Sequence, residues 1–165
     1  LVKMIPREGS FVRSIPPRFI QESFIMRAWL EGLGARLAVQ NIGRSECGQM
    51  EKILSDMAKL ARKKDFKGYF YRHWDFHRFF YKASQNKLLI NRIETMRRES
   101  LWLSYSITYF EKNHEVSQKI HKTIIDLFRK GSADEVEMNV RSHILNATEH
   151  YVKFIKETYP NLTES

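Results

Sequence analysis

The chain is poor in cysteine, proline and glycine: its 165 residues hold one, four and seven of them. The single thiol, Cys47, excludes an intramolecular disulfide and a cysteine-rich zinc site. It fits a reducing compartment, so a cytoplasmic location is expected. Several of the few helix breakers fall before residue 50, which leaves the remainder to long helices. No apolar run approaches the roughly 20 residues that span a bilayer. The opening Leu1-Val2-Lys3-Met4-Ile5-Pro6 lacks the apolar core of a secretory signal, and no membrane partner is expected. Acidic residues are in deficit, 19 against 28 Lys and Arg, for a net charge of +9. Such a balance suits nucleic acid or an anionic ligand. The basic residues are spread out, however, and a solubilising surface would also account for them.

Residues 1–15 place two short β-prone pieces around Pro6-Arg7-Glu8-Gly9, where Gly9 can take the positive φ of a tight turn. A hairpin is predicted there. Because a lone hairpin is marginal, it reads as the tail of something larger upstream, and a start at Leu1 suits a fragment. Pro16-Pro17 reads as a linker. Beyond it, apolar residues recur near every 3.6 positions. Helices are predicted over about 18–43, 45–60, 69–84 and 87–112. A fifth is capped by Asn113 and closed by Gly131, and a sixth starts at Ser132 and ends before Pro160. Gly32 and Gly34 either bend the first helix or pack it closely. The expected fold is all-α, an antiparallel bundle of six helices over 16–158 with a tail at 159–165.

Four of the six histidines carry the functional expectation. His73 and His77 stand at i and i+4, on one helical face. His121 falls in the stripe of Ile120, Ile124 and Phe128, and His143 in that of Val140, Ile144 and Ala147. One buried histidine is ordinarily a satisfied core residue. Several without partners would each cost about a few kcal/mol, and a shared metal satisfies one nitrogen on each. An all-imidazole site suits Zn, Ni, Cu or Fe rather than Mg or Ca. Four neutral ligands leave the metal's charge uncompensated and attractive to a small carboxylate. His114 and His150 rank below these four. Asp75, about 200° round the helix from both flanking histidines, should face away.

Several segments resemble one family. Phe76-His77-Arg78 through Ala83-Ser84-Gln85-Asn86 resembles the "FH...AS.N" signature of the FadR-type C-terminal domain, the effector-sensing half of one branch of the GntR transcription regulators. Arg27-Ala28-Trp29-Leu30-Glu31 with Ala35-Arg36-Leu37-Ala38 is similar to its first-helix "R..LE...ARLA". Gly131-Ser132-Ala133 followed by His143-Ile144 resembles its closing segment. The pieces at 1–15 look like the wing of the family's winged helix-turn-helix.

The resemblance covers about 1–157. It implies a sensing and dimerising domain of six or seven helices, with a metal held by an Asp and three His beside a small organic acid. Carried over, the histidines are His77, His121 and His143, with Zn or Ni the expected metal. The Asp position holds His73 instead, so either a four-histidine site forms or His73 swings out. Arg27 matches an arginine near the effector, where it would pair with a carboxylate; a surface ion pair with Glu31 is the competing reading. Arg7 and Gly9 are the expected DNA-contacting residues of the wing, with operator DNA bound by a homodimer. The expectation is a regulator and not an enzyme. The alternative is a metal-dependent helical-bundle enzyme or metal carrier, and a third possibility is a pocket that binds ligand without metal.

Overall fold

Six helices form the bundle in the computed structural model, which describes residues 2–5, 9–12, 17–99 and 103–158. They are α1 (Pro17–Ala38), α2 (Arg44–Arg62), α3 (Phe66–Ala83), α4 (Lys87–Glu99), α5 (Leu103–Lys130) and α6 (Ala133–Thr158), with a 3-10 turn at Val39–Asn41. Ahead of them, β1 (Val2–Ile5) and β2 (Gly9–Val12) pair antiparallel, Val2 opposite Val12 and Ile5 opposite Gly9. Gly9 has φ +110°, a left-handed conformation that side chains other than hydrogen rarely tolerate. Arg7 lies outside the described residues. Among the described residues no helix is long and apolar enough to cross a membrane.

The joints follow local chemistry. Asp65 caps α3 by accepting from the Gly68 backbone N–H at 2.8 Å. That glycine therefore sits inside the first turn and does not precede the helix, and α3 starts three residues earlier than periodicity predicts. A Cβ on Gly68 would lie 2.6 Å from the capping carboxylate, so the cap itself requires glycine. Asn86 caps the next helix through the Leu89 N–H at 3.1 Å. Gly131, at φ +73°, closes α5 with its N–H on the Leu127 carbonyl at 3.1 Å.

One boundary is a correction. Asn113 is not a cap: it lies well inside α5, with its side-chain N–H donating to the Tyr109 carbonyl at 2.9 Å. α4 is described to Glu99 and α5 from Leu103, and residues 100–102, Ser-Leu-Trp, lie outside the described residues. No glycine or proline marks the start of α5, and Leu101, Tyr105 and Tyr109 continue the stripe, so the sequence pattern runs straight through.

The core centres on aromatic α3. Tyr69, Phe76, Phe80 and Tyr81 are fully buried, against Met50 and Met57 of α2, Ile124, Ile125 and Phe128 of α5, and Ile93 of α4. Burying each such side chain contributes about 1.5–3 kcal/mol. The most extensive helix pair is α1 on α6, and α1 also packs on α3 and α4. Small residues permit this: Ala28, Ala35 and Ala38 are buried, and a Cβ on Gly34 would meet the Tyr81 Cβ at 3.0 Å. Both α1 glycines serve close packing, Gly32 against the Glu137 carbonyl of α6. This approach brings the middle of α1 up to the histidines of α3.

Candidate metal centre

Three helices supply four imidazoles to one point. His73 and His77 extend from one face of α3, His121 from α5 and His143 from α6. One nitrogen from each lies within 4.8 Å of the others. The Nε2 atoms of His121 and His143 are 3.1 Å apart. Two nitrogens on a tetrahedral zinc at ordinary bond lengths stand about 3.3 Å apart, so this pair already has the required span. The bound on the full set, 4.8 Å, is wider than the roughly 4.1 Å that even trans ligands would show. Gripping one ion with all four therefore calls for an inward shift of under about 1 Å.

The histidines are poised as neutral ligands. Burial pulls the His77 imidazole down to about 4, against the opposing pull of its Glu31 hydrogen bond. Burial and the neighbouring His77 bring His143 down to about 3. Burial and the adjacent imidazoles hold His73 and His121 well below the ordinary value. At neutral pH each ring keeps a lone pair for a metal. The second nitrogen of His77 is fixed: Nδ1 stands 2.8 Å from Glu31 Oε2. Glu31 is ionised and can only accept, so Nδ1 carries the proton and the lone pair is left on Nε2. That Nε2 is buried and has no hydrogen-bond partner among the described residues, which fits a metal ligand and is costly otherwise.

Glu31 itself is fully buried. Arg97 of α4 grips it twice, Nε to Oε1 at 2.9 Å and Nη2 to Oε2 at 2.6 Å, and Arg27 donates to Oε1 at 3.1 Å. Burial alone would raise this carboxyl. Arg97 and Arg27, with the His77 hydrogen bond, outweigh it and hold Glu31 well below the usual carboxylate range. The result is a carboxylate behind the His77 imidazole, the arrangement that orients imidazoles on metals.

A cavity of about 260 Å³ opens beside the cluster, with His73, His77, His143, Arg27 and Arg97 in its wall. Arg27 is ion-paired to Glu31, in a buried network and not at the surface, and it lies in the cavity wall. His114 lies outside the cluster, with Nδ1–H on the Phe110 carbonyl at 3.1 Å and its ring against Phe66. His150 is exposed on the cavity wall, with Nδ1–H on the Asn146 carbonyl at 2.8 Å. Asp75 bonds Arg72 at 3.1 Å and is no part of the cluster.

Two residues of the site escaped sequence reasoning. Glu31 entered as a letter of the first-helix motif and as a surface partner of Arg27, with no role at the site, and Arg97 as one of the scattered cations. Arg97 did carry a signal: it stands four and eight residues after the buried Ile93 and Leu89.

An all-α six-helix domain with a buried histidine cluster able to coordinate a metal defines the class. Residues 22–146 match the FCD domain. The chain belongs to that family, the regulatory domain of GntR-type transcription regulators, and its role is regulatory rather than catalytic. It is 23% identical over 149 residues to the HTH-type transcriptional repressor RspR of Escherichia coli K12 and to the HTH-type regulator YdfH of Shigella flexneri. Each alignment covers 90% of this chain, which spans 65% of the length of these curated relatives. The fold is similar to that of E. coli McbR/YncC, with a TM-score of 0.73 at 14% identity over 96% of this chain and 78% of that one. It is also similar to a GntR family member from Pseudomonas syringae, with a TM-score of 0.66 at 15% identity over 96% and 66%.

Proposed function

We propose that this chain is the effector-sensing domain of a DNA-binding transcription regulator. His77, His121 and His143 would hold a divalent ion, Zn or Ni, with His73 as fourth ligand in place of the Asp that the family resemblance implies. A small organic acid would bind beside the ion, within reach of Arg27. The observation that carries this reading is the convergence of four neutral imidazoles, three of them buried and His73 half-buried, on a cavity walled by two guanidiniums. The ion would act as a fixed positive charge that the effector's carboxylate completes.

On this reading the domains run 1–15 for the wing remnant, 16–158 for the sensor and 159–165 for the tail. The paired strands belong to an upstream winged-helix unit, where Arg7 and Gly9 meet operator DNA. Regulation requires that the effector bind the DNA-competent and incompetent arrangements with different affinity. The domain works as a homodimer, and the exposed Met26, Trp29, Leu33 and Leu37 along α1 offer an apolar stripe for the partner copy.

The test is metal content by elemental mass spectrometry on protein purified without chelators or a histidine tag, beside His77→Ala. About one equivalent of Zn or Ni, lost in the variant, is expected. Absence of metal in both proteins, even after reconstitution, would overturn the metal reading.

A further inference from the structure

The cavity beside the histidine cluster has two unlike ends. At one end lie the imidazoles, Arg27 and Arg97. The rest of the described wall is mainly aromatic and aliphatic, with Asn113, Ser117, Asn146 and the exposed His150 as its polar members. The His73 ring contacts the Phe110 ring at 4.7 Å, Phe110 contacts Phe70 at 6.4 Å, and Phe70 contacts Trp74 at 6.3 Å. Phe24 and Ile144 continue the apolar surface. The Arg27 guanidinium lies over the Phe24 ring at 4.7 Å, so the polar and apolar ends meet there.

We propose that this cavity takes a monocarboxylate with a compact apolar body, an arene or a branched alkyl group on a short arm, and not a di- or tricarboxylate. The inference rests on the sensor reading above and names its ligand class. Charge placement gives the first reason. Among the described wall residues the only Lys or Arg side chains are Arg27 and Arg97, and both converge on the one carboxylate of Glu31. All fixed positive charge is therefore at one end, which serves one ligand carboxylate. A second carboxylate, held by its own carbon chain against Phe70, Trp74 and Phe110, would have no Lys or Arg side chain to replace its water.

Size gives the second reason. An apolar cavity of about 150 Å³ is enough for a benzene ring. At about 260 Å³ this one holds a ring and a carboxylate arm of two or three carbons. Acetate would leave the aromatic wall uncovered. Ring-on-ring contacts with Phe110 and Phe70 would add edge or offset stacking to area burial.

The experiment uses the full chain, zinc-loaded, with binding followed by calorimetry and checked by tryptophan fluorescence. The probes are 3-phenylpropionate, 3-phenylpropanol, acetate, succinate and citrate. Expected is one 3-phenylpropionate per chain, bound at least tenfold tighter than succinate, citrate or acetate. The alcohol, which keeps the ring and loses the charge, binds at least tenfold more weakly than the acid. Ala147→Phe fills the wall with a ring of the protein's own and weakens 3-phenylpropionate at least tenfold, while the zinc content confirms that the variant is folded. Succinate or citrate binding tighter than the aryl acid would overturn the ligand class and leave the sensor reading standing. Unchanged aryl-acid affinity in Ala147→Phe would also overturn it, by placing the ligand elsewhere. No binding by any acid to zinc-loaded protein would remove the carboxylate-sensor reading and this inference with it.

Discussion

Replacing Glu31 tests the whole polar centre at once. The carboxylate is fully buried and accepts from Arg97 twice, from Arg27 and from His77. Glu31→Ala leaves two guanidiniums inside the bundle without their shared anion and His77 Nδ1 without an acceptor. Removing one partner of a buried ion pair costs about 3–5 kcal/mol. The loss belongs in the upper part of that range, because two cations are stranded together. Glu31→Gln keeps the shape and an acceptor oxygen but turns an N–H toward the guanidiniums, so its cost falls between the variant above and none. Arg97→Met should be milder than Glu31→Ala, since Glu31 keeps Arg27 and His77. Urea unfolding of the metal-free chains measures this order. Metal affinity, read by competition with a chromophoric chelator, should fall about 10–100-fold in Glu31→Gln, the usual cost of losing an outer-shell partner of a histidine ligand. A Glu31→Gln chain with an unchanged urea midpoint and metal affinity within twofold of the parent would refute the reasoning.

Other perturbations address single links of the same chain of argument. His73→Asp introduces a carboxylate among the three remaining imidazoles and should raise affinity for Mn relative to Ni at least tenfold, because oxygen ligands suit harder ions; an unchanged ratio in parallel titrations would remove residue 73 from the ligand set. Gly34→Ala gains about 1 kcal/mol of helix propensity, but its Cβ meets Tyr81 at 3.0 Å and overpacking costs about 1–3 kcal/mol. A net loss of up to about 2 kcal/mol with weakened metal binding is expected, and a clear gain in urea midpoint would contradict the close approach of α1. Stability of the metal-free chain should fall in acid. His77 and His143 have folded values of about 4 and 3 against an ordinary 6.5, so between those limits the unfolded chain binds more protons. Stability present above pH 6.5 is then lost progressively toward pH 3–4, and lowered Glu31 acts in the same direction at the acid end. Urea midpoints level from pH 7 to pH 5 would contradict this.

Periodicity made most of the fold legible because each helix buries one stripe. Gly131 and Ser132 marked the joint before α6 through ordinary cap chemistry. The separate start of α5 at Leu103 was illegible for the converse reason: no glycine or proline precedes it, and apolar positions continue past it at helical spacing. Asn113 was misassigned because an asparagine that satisfies its own amide on the carbonyl four residues back resembles a cap in a bare string. The start of α3 was misplaced because Gly68, which ordinarily ends a helix, here serves the cap that begins one.

The candidate site was legible in its histidines and illegible in the residues that support them, and the difference is physical. Histidine on an apolar stripe is unusual enough to be noticed, and spacing alone put His73 beside His77. Charged residues on a stripe are ordinarily read as solvated, so Glu31 and Arg97 were passed over although each occupies a core position. Glu31 falls three residues after buried Ala28 and four before buried Ala35, a face of small side chains. A carboxylate set in such a face calls for a cation from another helix, since Arg27, one turn away, bonds only Oε1. Had that requirement been applied to the string, the search for the second cation would have run to arginines in register with buried residues. Arg97, in line with Leu89 and Ile93, meets that condition. The cavity admits no such route: its walls come from α1, α3, α4, α5 and α6, and the space they leave unfilled depends on how those helices are spaced, which no single stripe encodes.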